Sequence, residues 1–130
     1  MKNTFLLTIL IIFLTITSCI KDDSIPSCLQ IDKVSDGFGP TEVQVGSSKA
    51  ISFKITNSCE RSVNILNVNE GEDIHNEFLI QNVTNNTSIP EAGLIFNVLF
   101  SPKSTGNKTI EFSIKTIQGT MIVNLGTKGI

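Results

Sequence analysis

The sequence predicts an all-β fold, two antiparallel sheets packed face to face, and three observations predict it. Apolar and polar residues alternate with period two in several short runs. Clusters of Gly, Pro, Asn and Ser punctuate the chain between those runs. Beyond one apolar run at the N-terminus, no apolar set recurs at helical spacing. Composition agrees, since β-branched residues outweigh Ala and Leu and favour strands.

The first element is an address. Met1-Lys2-Asn3 carries one positive charge, Phe5 to Ile16 is uncharged and apolar, and the small residues Thr17-Ser18 precede Cys19. These are the charged, apolar and cleavage regions of an export signal, so a signal-peptide helix is expected over residues 1–18. Charge returns at Lys21, which leaves Thr4 to Ile20 only marginally long for a spanning helix of about 20 apolar residues. An uncleaved anchor helix is the alternative.

Ile16-Thr17-Ser18-Cys19 resembles the bacterial lipobox, in which the last thiol takes a diacylglycerol as a thioether and small residues admit the signal peptidase. The resemblance implies lipidation of Cys19. Acyl burial contributes about 0.8 kcal/mol per methylene, and two or more chains hold a protein stably at a membrane. Residues 19–27 would then be a flexible tether. Lys21-Asp22-Asp23 resembles the Lys-plus-acidic export signal of surface lipoproteins of the Bacteroidota. A charged, soluble tether is its plain alternative. The expected location is the outer membrane, surface-exposed, with a periplasm-facing orientation as the alternative.

Residues 28–130 form one domain, long enough for a single core. Cys28 starts the first strand. Over Ala50–Asn57, Ile51, Phe53 and Ile55 face one way while Ser52, Lys54 and Thr56 face the other. Val63 and Ile65 alternate, but Leu66 and Val68 have the opposite parity, which one bulge near Leu66 would reconcile. Phe78 and Ile80 make a short strand. Leu94, Phe96, Val98 and Phe100 form an inward set. Over Thr109–Thr116, Ile110, Phe112 and Ile114 point in and Glu111, Ser113 and Lys115 point out. Met121, Val123 and Leu125 close the series. Seven or eight antiparallel strands in about 100 residues fit an immunoglobulin-like β-sandwich, here without the Cys-Trp-Cys signature, since Trp is absent.

The chain resembles the ASH/hydin type of immunoglobulin-like domain, the choice-of-anchor-D-like kind, related in shape to PapD and major sperm protein domains. Phe38-Gly39 with Val43, Val45 and Gly46 resembles that family's opening motif. Phe53-Lys54-Ile55-Thr56-Asn57 resembles its F-x-I-x-N strand, and Val98-Leu99-Phe100-Ser101-Pro102 with Gly106 resembles its V-x-F-S-P segment. Leu125 and Gly129 resemble the ends of its closing motif, so the resemblance covers residues 36 to 130. It departs at the spacing before Val43, at Cys59 where a turn Gly is usual, and at Thr127 where Gly is usual. In such a sandwich Cys28 and Cys59 come close, at the start and end of antiparallel strands. Export favours a bridge between them, and two free thiols are the alternative.

Chemistry is scarce. Ten Lys+Arg against twelve Asp+Glu give a net charge of -2, which argues against a nucleic-acid partner. Without Trp or Tyr there are few stacking platforms. One His excludes a multi-His metal site. Glu70, Glu72, Asp73 and Glu77 crowd one loop with His75, but the spacing is not that of an EF-hand, so a solvated acidic loop is expected. There is no G-x-S-x-G elbow and no phosphate-binding Gly loop.

The expected function is therefore non-enzymatic, with no catalytic residues, no metal and no cofactor besides the lipid on Cys19. The partners are the membrane, through that lipid, and a protein. A surface lipoprotein presenting a binding, adhesion or envelope-structural module fits these features. An accessory subunit of a nutrient-uptake or polysaccharide-utilisation complex is the alternative. Strand edges make strand addition available. Leu79, Ile95, Leu99 and Ile122, all on outward parity, are candidates for an apolar patch.

Overall fold

In the computed structural model the described residues are 28–34 and 40–130. The signal peptide (1–18), the tether (19–27) with Cys19, Lys21, Asp22 and Asp23, and the motif pair Phe38-Gly39 lie outside them. The described residues form nine strands: β1 (Leu29–Lys33), β2 (Thr41–Val43), β3 (Lys49–Asn57), β4 (Val63–Glu70), β5 (Phe78–Gln81), β6 (Ser88–Ile89), β7 (Leu94–Phe100), β8 (Gly106–Thr116) and β9 (Gly119–Gly129). They build a four-stranded sheet, β1-β3-β7-β5, and a five-stranded sheet, β2-β9-β8-β4-β6.

Alternation decides which faces meet. Ile51, Phe53 and Ile55 of β3, Phe96, Val98 and Phe100 of β7, and Ile110, Phe112 and Ile114 of β8 are all buried, and together they make the middle of the core. Phe53 stacks on its cross-strand partner Phe96, ring centroids 5.4 Å apart, and Phe112 from the other sheet meets both edge-on at 5.6 and 5.9 Å. Edge-to-face contact sets the positive rim of one ring against the negative face of another, and adds about 0.5–1.5 kcal/mol beyond area burial. The bulge in β4 is present: the register with β8 shifts between Ile65 and Asn67, Leu66 is left 47% exposed, and Val68 returns to a half-buried position.

Two departures from the expected count and pairing are local. β2 and β6 are three and two residues long, too short to carry a period, and they bring the total to nine. One ladder is parallel rather than antiparallel: Thr41, Glu42 and Val43 pair with Thr127, Lys128 and Gly129. No hairpin joins these two strands, and the whole domain between them serves as the long connection that a parallel pair requires.

The family-like motifs turn out to be contacts. The Asn57 side-chain amide donates to the carbonyls of Arg61, Ile89 and Pro90, and its oxygen accepts the Cys59 N–H, so one residue ties two turns together. Gly46 N–H donates to the Pro102 carbonyl, and the Ser48 and Ser101 hydroxyls hydrogen-bond at 2.6 Å. A Cβ on Gly129 would run into the Ser104 carbonyl and press on Pro102, so glycine is required where β9 ends. Thr127, the departure, points into the core with its hydroxyl on the Lys108 carbonyl.

Candidate functional site

Cys28 and Cys59 are joined by a disulfide, with Cα atoms 4.9 Å apart. Beside it, Ser58 N–H and hydroxyl both donate to the Cys28 carbonyl. The bridge therefore welds the start of β1, a sheet edge, to the turn after β3. The other site residues read from sequence, Cys19, Lys21, Asp22 and Asp23, lie outside the described residues.

The acidic loop is exposed at Glu70, Glu72 and residues 74–76, as expected of a solvated loop, but one of its carboxylates departs from that. Glu77 is buried. Its Oε1 accepts the Lys103 N–H at 2.8 Å, and its Oε2 lies 3.3 Å from Lys108 Nζ. Lys108 also donates to Ser104 Oγ, and Lys103 Nζ donates to the His75 carbonyl. Burial pushes the Glu77 carboxyl up, but the Lys103 N–H and the Lys108 ammonium push it down further, and the net result is a lowered pKa. A carboxyl held as an anion cannot deliver a proton near neutrality. Glu77 thus staples the β4–β5 loop to the β7–β8 loop. No signal within its own segment marks it, because its cation comes from β8.

Asp73 and Glu70 are engaged as well. Asp73 accepts from the N–H groups of Glu77 and Phe78, and Glu70 accepts from the Ile80 N–H. These carboxylates turn towards their own backbone instead of converging on a common point. Among the described residues, no group of three His, Cys, Asp or Glu could hold a metal.

The expected apolar patch is divided. Leu79, Ile95 and Leu99 share the outer face of the four-stranded sheet, where Leu79 and Leu99 are cross-strand partners beside Ala50. Ile122 lies on the outer face of the other sheet, paired with Ser113. Parity separates inside from outside but does not say which sheet a strand joins.

What remains is the seam where β4 and β5 face each other from opposite sheets. β6 covers only Val63 and Asn64 of β4. Past that point the seam opens into a groove of about 550 Å³ lined by Val68, Glu70, Ile80, Val83, Thr84 and Asn85. Its floor is apolar, with Val83 buried and Val68 and Ile80 half-buried. Such an arrangement can take an extended chain, and Glu70 is the one ionisable group among its lining residues.

No protein-family model and no curated protein matches this sequence. Solved structures do share its architecture. An ASH/PapD-like domain of human CEP192 (PapD-like domain 7) superposes with a TM-score of 0.59 at 14% identity, over 89% of this chain and 93% of that one. The SrpA adhesin from Streptococcus sanguinis gives 0.56 at 13% identity, over 82% of this chain and 59% of that one. Domains 4 and 5 of the S-layer protein SbsC give 0.51 at 16% identity, over 78% of this chain and 51% of that one. At these identities the likeness shows the fold alone: the chain has an immunoglobulin-like β-sandwich fold, similar to that of the ASH/PapD-like domain.

Proposed function

We propose that this chain is a non-enzymatic surface lipoprotein: an immunoglobulin-like module held by acyl chains on Cys19, spaced from the membrane by the 19–27 tether, and engaged with a protein partner. One observation carries the reading. The Cys28–Cys59 bond uses two of the three cysteines and leaves Cys19 alone, at the lipobox position behind an apolar run. Disulfides persist in oxidising compartments outside the cytoplasm, which supports export. The fold occurs in an adhesin and in an S-layer protein, so it is compatible with display at a surface, although a role does not transfer with a fold. Glu70, Asp73 and Glu77 of the acidic loop are committed to backbone and lysine contacts, which favours binding over catalysis.

Metabolic labelling with an alkynyl fatty acid tests this reading. Wild type should be labelled and sediment with membranes, whereas Cys19→Ala should be unlabelled. Equal labelling of both would overturn the lipoprotein.

A further inference from the structure

We propose that the groove between β4 and β5 receives an extended, aliphatic peptide segment carrying a lysine or arginine, which adds as a strand to the free edge of β5. This deepens the reading of the chain as a binding module and rests on it.

Both rims of the groove are strand edges closed by side chains. Among the described residues, β5 is the last strand of its sheet and pairs only with β7. Its outward N–H groups, at Phe78 and Ile80, meet carboxylates where a neighbouring strand would offer carbonyls: Asp73 Oδ2 at 2.9 Å and Glu70 Oε1 at 3.4 Å. On the opposite rim, Val68 N–H is held by Asn85 Oδ1 at 2.9 Å. A strand edge left bare invites pairing, and acidic side chains over it discourage the wrong partner.

These latches are unequal. Good N–H···O bonds lie near 2.9 Å, and both the Asp73 and Asn85 bonds meet that length. Asp73 also holds the Glu77 N–H. The exposed Glu70–Ile80 bond is the longest of the set, so it is the one an incoming carbonyl displaces. The β5 edge therefore takes the peptide. With Phe78 still held by Asp73, the edge that opens runs from Leu79 to Gln81, spans roughly 10 Å and matches a segment of similar length.

Side-chain chemistry follows from the lining. Alternate residues of an added strand face the floor. Val68, Ile80 and Val83 ask for aliphatic side chains there. Once Glu70 leaves Ile80, its exposed carboxylate can take a donor from the incoming chain. Among the described residues no basic side chain lines the groove, and Glu72 and Asp73 follow Glu70 in the chain. A lysine or arginine on the peptide supplies that donor through a charge-assisted bond.

The test is fluorescence anisotropy with the full chain in detergent. The probe is a labelled peptide alternating valine with threonine around one central lysine, and the control carries glutamate in place of that lysine. The lysine peptide should bind up to about fivefold more tightly, the factor an exposed ion pair supplies. Glu70→Gln should remove most of that preference. Thr84→Arg, at an exposed lining position, should block the groove and supply the cation in cis without touching the core. Equal affinity for the two peptides, or lysine-peptide binding unchanged by Thr84→Arg, would overturn the groove assignment. Failure to bind either peptide, with Cys19 still acylated, would overturn it too and leave the lipoprotein reading standing.

Discussion

Lys108 Nζ lies 3.3 Å from Glu77 Oε2, with the two side chains only 15% and 3% exposed. The pair joins β8 to the residue preceding β5. It is the best-shielded charge contact in the described domain, and stability near that loop should depend on it.

The pH response follows from the lowered Glu77 pKa. Burial acts against the anion, but the Lys103 N–H and Lys108 outweigh it, so the folded value lies below the ordinary 4.5. The unfolded chain then binds the proton more readily. The contribution is fully present above 4.5 and is lost as pH falls through the folded value. The groups around it, Lys103, Lys108, His75 and Asp73, are all in hand. Glu77→Gln should destabilise at neutral pH by about 1–3 kcal/mol, because it removes the counter-charge of a largely buried ammonium and leaves it the Ser104 hydroxyl. Its melting temperature should fall less than that of wild type on acidification below 4.5. Parallel acid dependence in the two proteins would refute this account.

The disulfide makes a different prediction. It spans a sequence separation of 31 residues, for which loop closure alone contributes roughly 3–4 kcal/mol. Among the described residues, β1 is an edge strand with β3 as its one sheet partner, so Cys28 is where it would begin to fray. Mature protein, unfolded without reductant, should show no alkylatable thiol. A Cys28→Ala/Cys59→Ala variant should melt lower and exchange its β1 amides faster while leaving those of β8 protected. Two free thiols in the unreduced wild type would remove the bridge from the account.

The legibility of the fold in the sequence divides along physical lines. β3, β7, β8 and β9 were readable because a strand with one wet face and one dry face must alternate, and even the bulge at Leu66 showed as a break in parity. β2 and β6 were not, since three and two residues hold no period. Glu77 was misread because its cation arrives from a distant strand. The groove was equally hidden: it exists because β6 stops after two residues, and the Glu70–Ile80 contact closing it has no signature along the chain. Asn57 was visible as a motif letter, but its task of joining two turns required the fold.

Parity itself has a direct test in β8, where Glu111 and Phe112 are neighbours on opposite faces. Phe112 is 1% exposed and meets Phe53 and Phe96 edge-on across the two sheets. Truncating a buried Phe to Ala costs about 3–5 kcal/mol, because lost transfer energy adds to the cavity left behind. A domain of this size holds about 5–15 kcal/mol in total, so Phe112→Ala should lower the melting temperature sharply or prevent folding. Glu111 and Lys115 point to solvent, and their alanine variants should stay within about 0.5 kcal/mol of wild type. Phe112→Leu separates volume from geometry: it keeps much of the apolar bulk and loses the edge-on rings, so it should fall between the two. Thermal melts of the four variants decide the matter. A Glu111→Ala loss as large as that of Phe112→Ala would mean that Glu111 faces inward as a buried charge, and the assignment of faces throughout that sheet would have to be reversed.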